Sequence, residues 1–570
     1  MSNFPFLFLL ILLPLLGAIV VAVIGRDEAG EQIAKKTAVG FALLELLVAI
    51  LMVVTFEPDG ARLQFTTSIG WIDALGVSFA LGVDGIALLM ILLTAILVPV
   101  VMVASWKRES LGDDINEPGS LEPVIPAVAS QARYFAWILV LQVFMIGVFA
   151  ATDVFLFYVF FEAMLIPTYF LIGGYGAARR RSAAMKFIIY SLVGGLVMLA
   201  SVIGLYVVSK DQLGEASFSW ETLSTLDMSE GTQTWLFLGF FVAFAIKAPL
   251  VPLHTWLPAS GGAGPIGTTV LLVGILDKVG TFGFLRYCLG LFPEASRNLA
   301  PLVLVLAVVG IFYAAFQAIG QDDVKKLVTY TSIAHFGYIA LGIFAFTTQA
   351  AAGAVLYMFN HGISTGLLLL AVGMIIARGR SRQISQYGGV FRVAPWLAGI
   401  TFIAGLAGLA LPGTNSFVSE FLVLIGSYGR EPVFTILATI GIIWAALYIL
   451  WLVQRMLHGP ARGVVPSLHG GDVDHDGVID EEILESDGAV GSTTVKERTR
   501  RSVRQRTFGD LTTREAWVLG PLVAVVFVLG FYPQPVLDII NPAVEHTLQT
   551  DVGIDNPGAP VNASANGDGK

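Results

Sequence analysis

The chain has 570 residues, of which 56% are hydrophobic and only 13% charged, against about 25% charged in an ordinary soluble domain. This excludes a water-soluble globular enzyme and requires a protein embedded in a lipid bilayer. The formal charge of -9 lies mainly in the loops and in the tail after Asp551, with nothing that points to nucleic acid, and the lone Cys288 excludes a disulfide, an iron–sulfur cluster or a thiolate zinc site built within the chain.

Residues 1–25 do not read as a signal peptide, because no basic segment precedes the apolar run and that run reaches spanning length. Apolar stretches of roughly 17 to 25 residues begin near Phe4, Lys36, Asp84, Tyr134, Asp153, Ala184, Thr234, Thr268, Leu299, Val324, Ala350, Ala394, Glu431 and Ala516. The expectation is an all-α integral membrane protein of about fourteen transmembrane helices. Connections that follow odd-numbered helices hold 25 of the 33 Lys and Arg residues; even-numbered connections and the tail hold 6. Basic residues are retained in the cytoplasm, so odd loops are expected inside and both termini outside. The two remaining cations, Lys247 and Lys278, fall within apolar spans.

An ionisable side chain at the bilayer centre costs several kcal/mol and marks a pathway by default. Counting at about 1.5 Å per residue sets Glu162, Lys247, Lys278, His335, His361 and Glu420 at similar depth near the membrane midplane. A row of acids and bases at one depth suits lateral proton movement, whereas isolated ion pairs would only hold helices together. His254, beyond an interruption in the seventh helix, either lines a water-filled half-channel or is an interfacial histidine. Glu45 in the second helix and Asp84 at the start of the third are read as anchoring or partner-facing carboxylates. Haem ligation by the histidines is disfavoured, because the lysines and glutamates around them supply another use.

Prolines lie beside these charges. Pro167 deprives the Ala163 carbonyl of its partner next to Glu162, Pro249 and Pro252 break the helix after Lys247, and Pro412 with Gly413 breaks the one that carries Glu420. Such broken helices expose carbonyls to a protein-lined cavity, as in transporters. The last two breaks fall at corresponding places of two five-helix units, 134–291 and 299–458; five is odd, so the second unit is expected to be inverted. The remaining divisions are 1–133, with three helices, a loop insertion at 459–513, and 514–570, with the last helix and an external tail. Within the insertion Asp472, Asp474, Asp476, Gly477, Ile479 and Asp480 match the opening of an EF-hand, but position twelve is Ile483 in place of the bidentate glutamate. No tight calcium site, and no other metal site, is expected.

Around Glu162 the sequence reads FYVFFEAMLIPTYFLIGGYG; further on come IKAPLVPLHTWLP from Ile246, NHGISTGLLLLAVGMI from Asn360 and PGTNSFVSEFLVL from Pro412. These segments resemble the antiporter-like membrane subunits of proton-pumping NADH-quinone oxidoreductase, respiratory complex I, and in particular its fourth core membrane chain. The resemblance implies that Glu162 and Lys247 form a coupled pair, that Lys278, His254, His335 and His361 continue a proton path, and that Glu420 lies at its far end. It also implies that NADH, flavin, iron–sulfur clusters and quinone act in partner subunits with no cofactor in this chain, that the partners are other membrane subunits including related antiporter-like chains, and that the site is a bacterial plasma membrane. Two departures stand out: PASGGAGPIGT after Leu257 lacks acidic and histidine residues often found there, and Asp277 directly precedes Lys278. The rival readings are a subunit of a multi-chain sodium–proton antiporter and a structural scaffold without an ion path.

Overall fold

The computed structural model describes residues 4–26, 28–115, 130–465 and 508–554. The EF-hand-like segment lies outside the described residues. Among those described, twelve helices are long and apolar enough to cross a membrane.

The chain opens with α1 (Phe6–Ile24) and α2 (Glu28–Thr55), then an antiparallel hairpin of β1 (Gln64–Ile72) and β2 (Val77–Val83). It continues through α3 (Gly85–Ala104), α4 (Gln131–Ala150), α5 (Val154–Ala163), α6 (Leu165–Tyr175) and α7 (Arg180–Leu213). After the single turn α8 (Trp220–Leu223) come α9 (Glu230–Lys247) and α10 (Trp256–Ala263), separated by a turn-rich break. The next membrane-length helix, 266–289, is α11 (Ile266–Leu271), a π-helical turn over Leu272–Leu276, α12 (Lys278–Gly283) and a second π-helical turn over Phe284–Leu289. Then follow α13 (Pro293–Ile319), α14 (Val324–Phe344), α15 (Thr348–Gly379), the short α16 (Val390–Val393), and α17 (Pro395–Gly408) with α18 (Asn415–Tyr428) across the second break. The chain closes with α19 (Pro432–Met456), α20 (Thr513–Phe531) and α21 (Gln534–His546).

Helix starts are set by local chemistry. Asp84, Asp153 and Asp323 each accept backbone N–H bonds at the starts of α3, α5 and α14, and Thr512 with Glu515 forms a reciprocal capping box on α20. Pro167 sits one turn beyond Met164, where α5 gives way to α6, as expected of a proline that cannot donate to the preceding turn.

Two departures from the sequence reading follow. The fold is not wholly helical, since the hairpin at 64–83 is a two-stranded sheet. The stretch after the last long helix is not only a tail: α21 packs against α3 and α15, with Ile540, Ala543 and Val544 buried. Asp84 has a structural place, capping α3 and pairing with Arg286 at 2.6 Å. Glu45 is fully buried among α1–α4, with both oxygens unpartnered.

Contacts among connections sort into two sets. In one, Asp113 accepts from the Ile266 N–H, Lys325 donates to Gly264 O, Arg382 pairs with Asp323, and Arg378 pairs with Glu515. In the other, Asp153 accepts from the Ser78 N–H, the Trp220 indole donates to Arg286 O, and Arg62 pairs with Asp551. The first set joins connections that the sequence reading expects to follow odd-numbered spans, and the second joins connections expected to follow even-numbered ones. The α11–α12 helix, α14 and α15 are the most enclosed elements; the outer faces of α1, α2, α7, α13 and α19 expose Leu, Ile and Val.

Candidate functional site

The site grows from Lys278, which the π-helical turn before it positions. In that turn the Asp277 N–H reaches back five residues to Leu272 O, and the Val273 carbonyl accepts the Lys278 ammonium at 2.5 Å. Such single-turn bulges are frequent at functional sites because they re-aim side chains and expose carbonyls. Lys278 Nζ also lies 2.6 Å from His361 Nδ1 on α15 and 5.0 Å from the centre of the Phe336 ring.

From His361 the polar groups continue. The His361 and His335 rings stand nearly perpendicular with centroids 5.0 Å apart, His335 lies 5.7 Å from the Tyr357 ring, and the Tyr357 hydroxyl donates to Glu420 Oε2 at 2.7 Å. Lys278, His361, His335, Tyr357 and Glu420 therefore form a buried run of proton-exchanging groups spanning four helices, α12, α15, α14 and α18. His361 Nε2 and His335 Nδ1 have no hydrogen-bond partner among the described residues.

Glu420 is held by the second break. Asn360 donates to Asn415 O at 2.8 Å, Asn415 returns a bond to Asn360 O at 3.2 Å, and Ser364 donates to Asn415 Oδ1 at 2.8 Å. These bonds clasp the start of α18 to the middle of α15, so the NHGISTG and PGTNSF segments, 46 residues apart from Gly366 to Pro412 in the chain, form one structural unit.

On the other side of Lys278 stands Lys247, the last residue of α9 before the first break. It is fully buried, its nitrogen has no hydrogen-bond partner among the described residues, and it lies 5.0 Å and 5.3 Å from the ring centres of Phe161 and Phe187. An ammonium over two aromatic faces gains cation–π stabilisation without a fixed ion pair. Glu162 and Asp277 are the carboxylates that act on it electrostatically. Glu162 is half-buried, with Oε1 unpartnered, and its carboxyl occupies the space over Gly195: a Cβ there would stand 1.6 Å from Oε1. Any larger residue at 195 would evict the carboxylate.

His254 stands in the break itself. It is buried, packs edge-on against Tyr313 with centroids 4.9 Å apart, and has Lys186 as its charged neighbour. Its neighbour Thr255 shares a 2.8 Å hydrogen bond with Tyr190. None of these contacts reaches the Lys278–Glu420 run. Tyr357 is the group that the sequence reading passes over; its signal is its place four residues before His361, hence on the same helical face.

A family model described as "NADH:quinone oxidoreductase/Mrp antiporter, TM" matches residues 151–444. The chain is 41% identical to the NADH-quinone oxidoreductase subunit M of Mycobacterium tuberculosis, over 98% of this chain and 97% of that protein. It is 35% identical to that of Rhodobacter capsulatus, over 94% and 95%. Its fold matches a chain of the respiratory complex I from Thermus thermophilus with bound NADH, with a TM-score of 0.76 and 28% identity over 96% of this chain and all of that one. It also matches a chain of the Mrp complex from Dietzia sp. DQ12-45-1b, with the same TM-score at 20% identity over 96% and 99%, a likeness of fold alone. The chain belongs to the NADH:quinone oxidoreductase/Mrp antiporter transmembrane family and, within it, to the subunit M group of NADH-quinone oxidoreductases.

Proposed function

We propose that this chain is a proton-translocating membrane subunit of an NADH-quinone oxidoreductase, in which quinone reduction elsewhere drives protons through its buried lysine, histidine and glutamate residues. The observation that carries this reading is the run from Lys278 through His361, His335 and Tyr357 to Glu420, whose members are buried and either hydrogen-bonded or in ring contact. Proton-exchanging groups that cost free energy to bury persist where they carry a current.

In this reading Glu162 and Lys247 form the coupled pair at one end and Glu420 the gate at the other, with His254 lining the first break. The chain crosses the membrane fourteen times: the twelve long apolar helices, plus the two discontinuous pairs α9–α10 and α17–α18. The units 134–291 and 299–458 are inverted repeats, with 1–133 before them and 459–513 and 514–570 after. Odd connections face the cytoplasm and both termini the outside of a bacterial plasma membrane. The redox groups, NADH, flavin, iron–sulfur clusters and quinone, reside in partner subunits, and related antiporter-like chains are its neighbours in the membrane. The sodium–proton antiporter reading is weaker, because the relatives at 41% and 35% identity carry the respiratory name.

The test is Lys247→Ala and Lys247→Arg in the assembled complex. Alanine should abolish this chain's share of pumping and slow NADH oxidation through coupling, and arginine, which keeps its charge, should rescue poorly. Assembled Lys247→Ala complex with a normal proton yield per NADH would contradict the reading.

A further inference from the structure

Lys247 and Lys278 belong to two groups with no hydrogen bond joining them: one with Glu162 on the α5–α9 side, the other with His361 on the α14–α15 side. Between them stands Asp277. It is fully buried, and neither carboxylate oxygen has a hydrogen-bond partner among the described residues. An unpartnered buried carboxyl is costly and calls for an explanation.

Its position follows from how α12 meets the broken end of α9. A Cβ on Gly280 would lie 2.5 Å from both Phe244 O and Ala248 N, the backbone on either side of Lys247. The two helices therefore touch through main chain at that point. Asp277, three residues before Gly280, lies on the same flank of its helix and faces the end of α9. Lys278 is turned by about 100° from it and reaches His361 on α15. The adjacent pair thus presents one group to each side, and both Lys247 and Lys278 act electrostatically on the Asp277 carboxylate.

We propose that Asp277 is a proton carrier that joins the Lys247 group to the Lys278 group. This rests on the reading of the chain as a proton translocator. A proton leaves the Lys247 ammonium for the Asp277 carboxylate, giving a neutral amine and a carboxylic acid. The acid then passes that proton to the neutral Lys278 amine, which becomes an ammonium and restores the carboxylate. Lys278 hands the proton to His361 Nδ1. One proton advances, Asp277 returns to its starting form, and no oxidant or reductant is consumed. A carboxylate that merely held two ammonium groups in place would remain ionised throughout.

The experiment uses the whole complex reconstituted in vesicles, with Lys247→Ala measured in parallel. Asp277→Asn should lose this chain's share of the protons pumped per NADH. It should also abolish a carboxylic-acid C=O band in the NADH-driven infrared difference spectrum of the unmodified complex. Asp277→Glu, which keeps the exchangeable proton, should retain pumping and shift that band. If Asp277→Asn does not assemble, the glutamate variant carries the test, and an unshifted band in it overturns the proposal. Normal pumping in Asp277→Asn with pumping lost in Lys247→Ala overturns the carrier role alone. Normal pumping in both overturns the translocator reading as well.

Discussion

Lys278 Nζ lies 2.6 Å from His361 Nδ1, with both groups enclosed in the protein. Two bases so close cannot both be charged, so the pair takes up and releases protons as a unit rather than as two independent sites. If the lysine is an ammonium, His361 Nδ1 must accept, which leaves Nε2 as the nitrogen that carries hydrogen and faces the next group. The geometry thus gives the pair two sides, one toward Asp277 and one toward His335.

Gly195 provides a test of whether the carboxyl of Glu162 must stand where it does. Gly195→Ala would overlap Oε1 and drive the side chain away from its place against α7. The expected outcome is an assembled complex with pumping reduced nearly as far as in Glu162→Gln. Gly174→Ala, where an added methyl meets nothing within 4 Å, should leave pumping unchanged. Equal pumping by both glycine variants would show that the position of Glu162 does not matter.

The Asp84–Arg286 pair has a different expected signature. Both side chains are over nine-tenths buried and 2.6 Å apart, so Arg286→Ala strands a buried carboxylate, at a cost of about 3–5 kcal/mol. The complex should assemble poorly and melt at lower temperature, with pumping per NADH normal in whatever assembles. A loss of pumping at full assembly would make this pair part of the path instead.

Much of this arrangement follows from the sequence because charges are conspicuous in apolar helices: Glu162, Lys247, Lys278, His335, His361 and Glu420 are found by depth alone. Tyr357 is not, since a tyrosine in an apolar helix ordinarily reads as packing; only its spacing from His361 gives it away. The hairpin escapes a search for apolar runs because β1 interleaves Thr66, Thr67 and Ser68 with Phe65, Ile69 and Trp71, a strand-like mixture in a chain otherwise read for helices. The end of the chain is missed for a similar reason, as α21 buries only a narrow stripe and Pro542 interrupts its pattern. Asp277 is visible as a departure, but whether it faces Lys247 or lipid depends on the close approach at Gly280, which requires coordinates.

Orientation is tested by labelling. Ser385 and Ser224 are exposed in connections of the two opposite sets, and the native Cys288 is buried. An impermeant thiol reagent added to intact cells should label Ser224→Cys and spare Ser385→Cys. The reverse pattern would invert the topology.

Asp113 predicts a pH effect on stability. It is half-buried in the loop before α4, accepts from the Ile266 N–H at 2.8 Å, and its pKa is pushed up to about 6 by desolvation, against the opposing pull of Lys325. Between the usual carboxylate range and about 6 the folded chain keeps a proton that the unfolded chain has lost. Stability therefore falls as pH rises through that window, and the full cost persists above it. Asp113→Asn should flatten the melting temperature of the complex across this range; an unchanged slope would remove Asp113 as the cause.

The most direct measurement of the central claim is the number of protons pumped per NADH oxidised by vesicles that contain complex with Lys278→Ala, at an assembly level matched to the unmodified complex. Lys278 begins the buried run that leads through His361, His335 and Tyr357 to Glu420, so the proton yield should fall by this chain's whole share and NADH oxidation should slow through coupling. A normal yield at normal assembly would contradict a proton route through this chain.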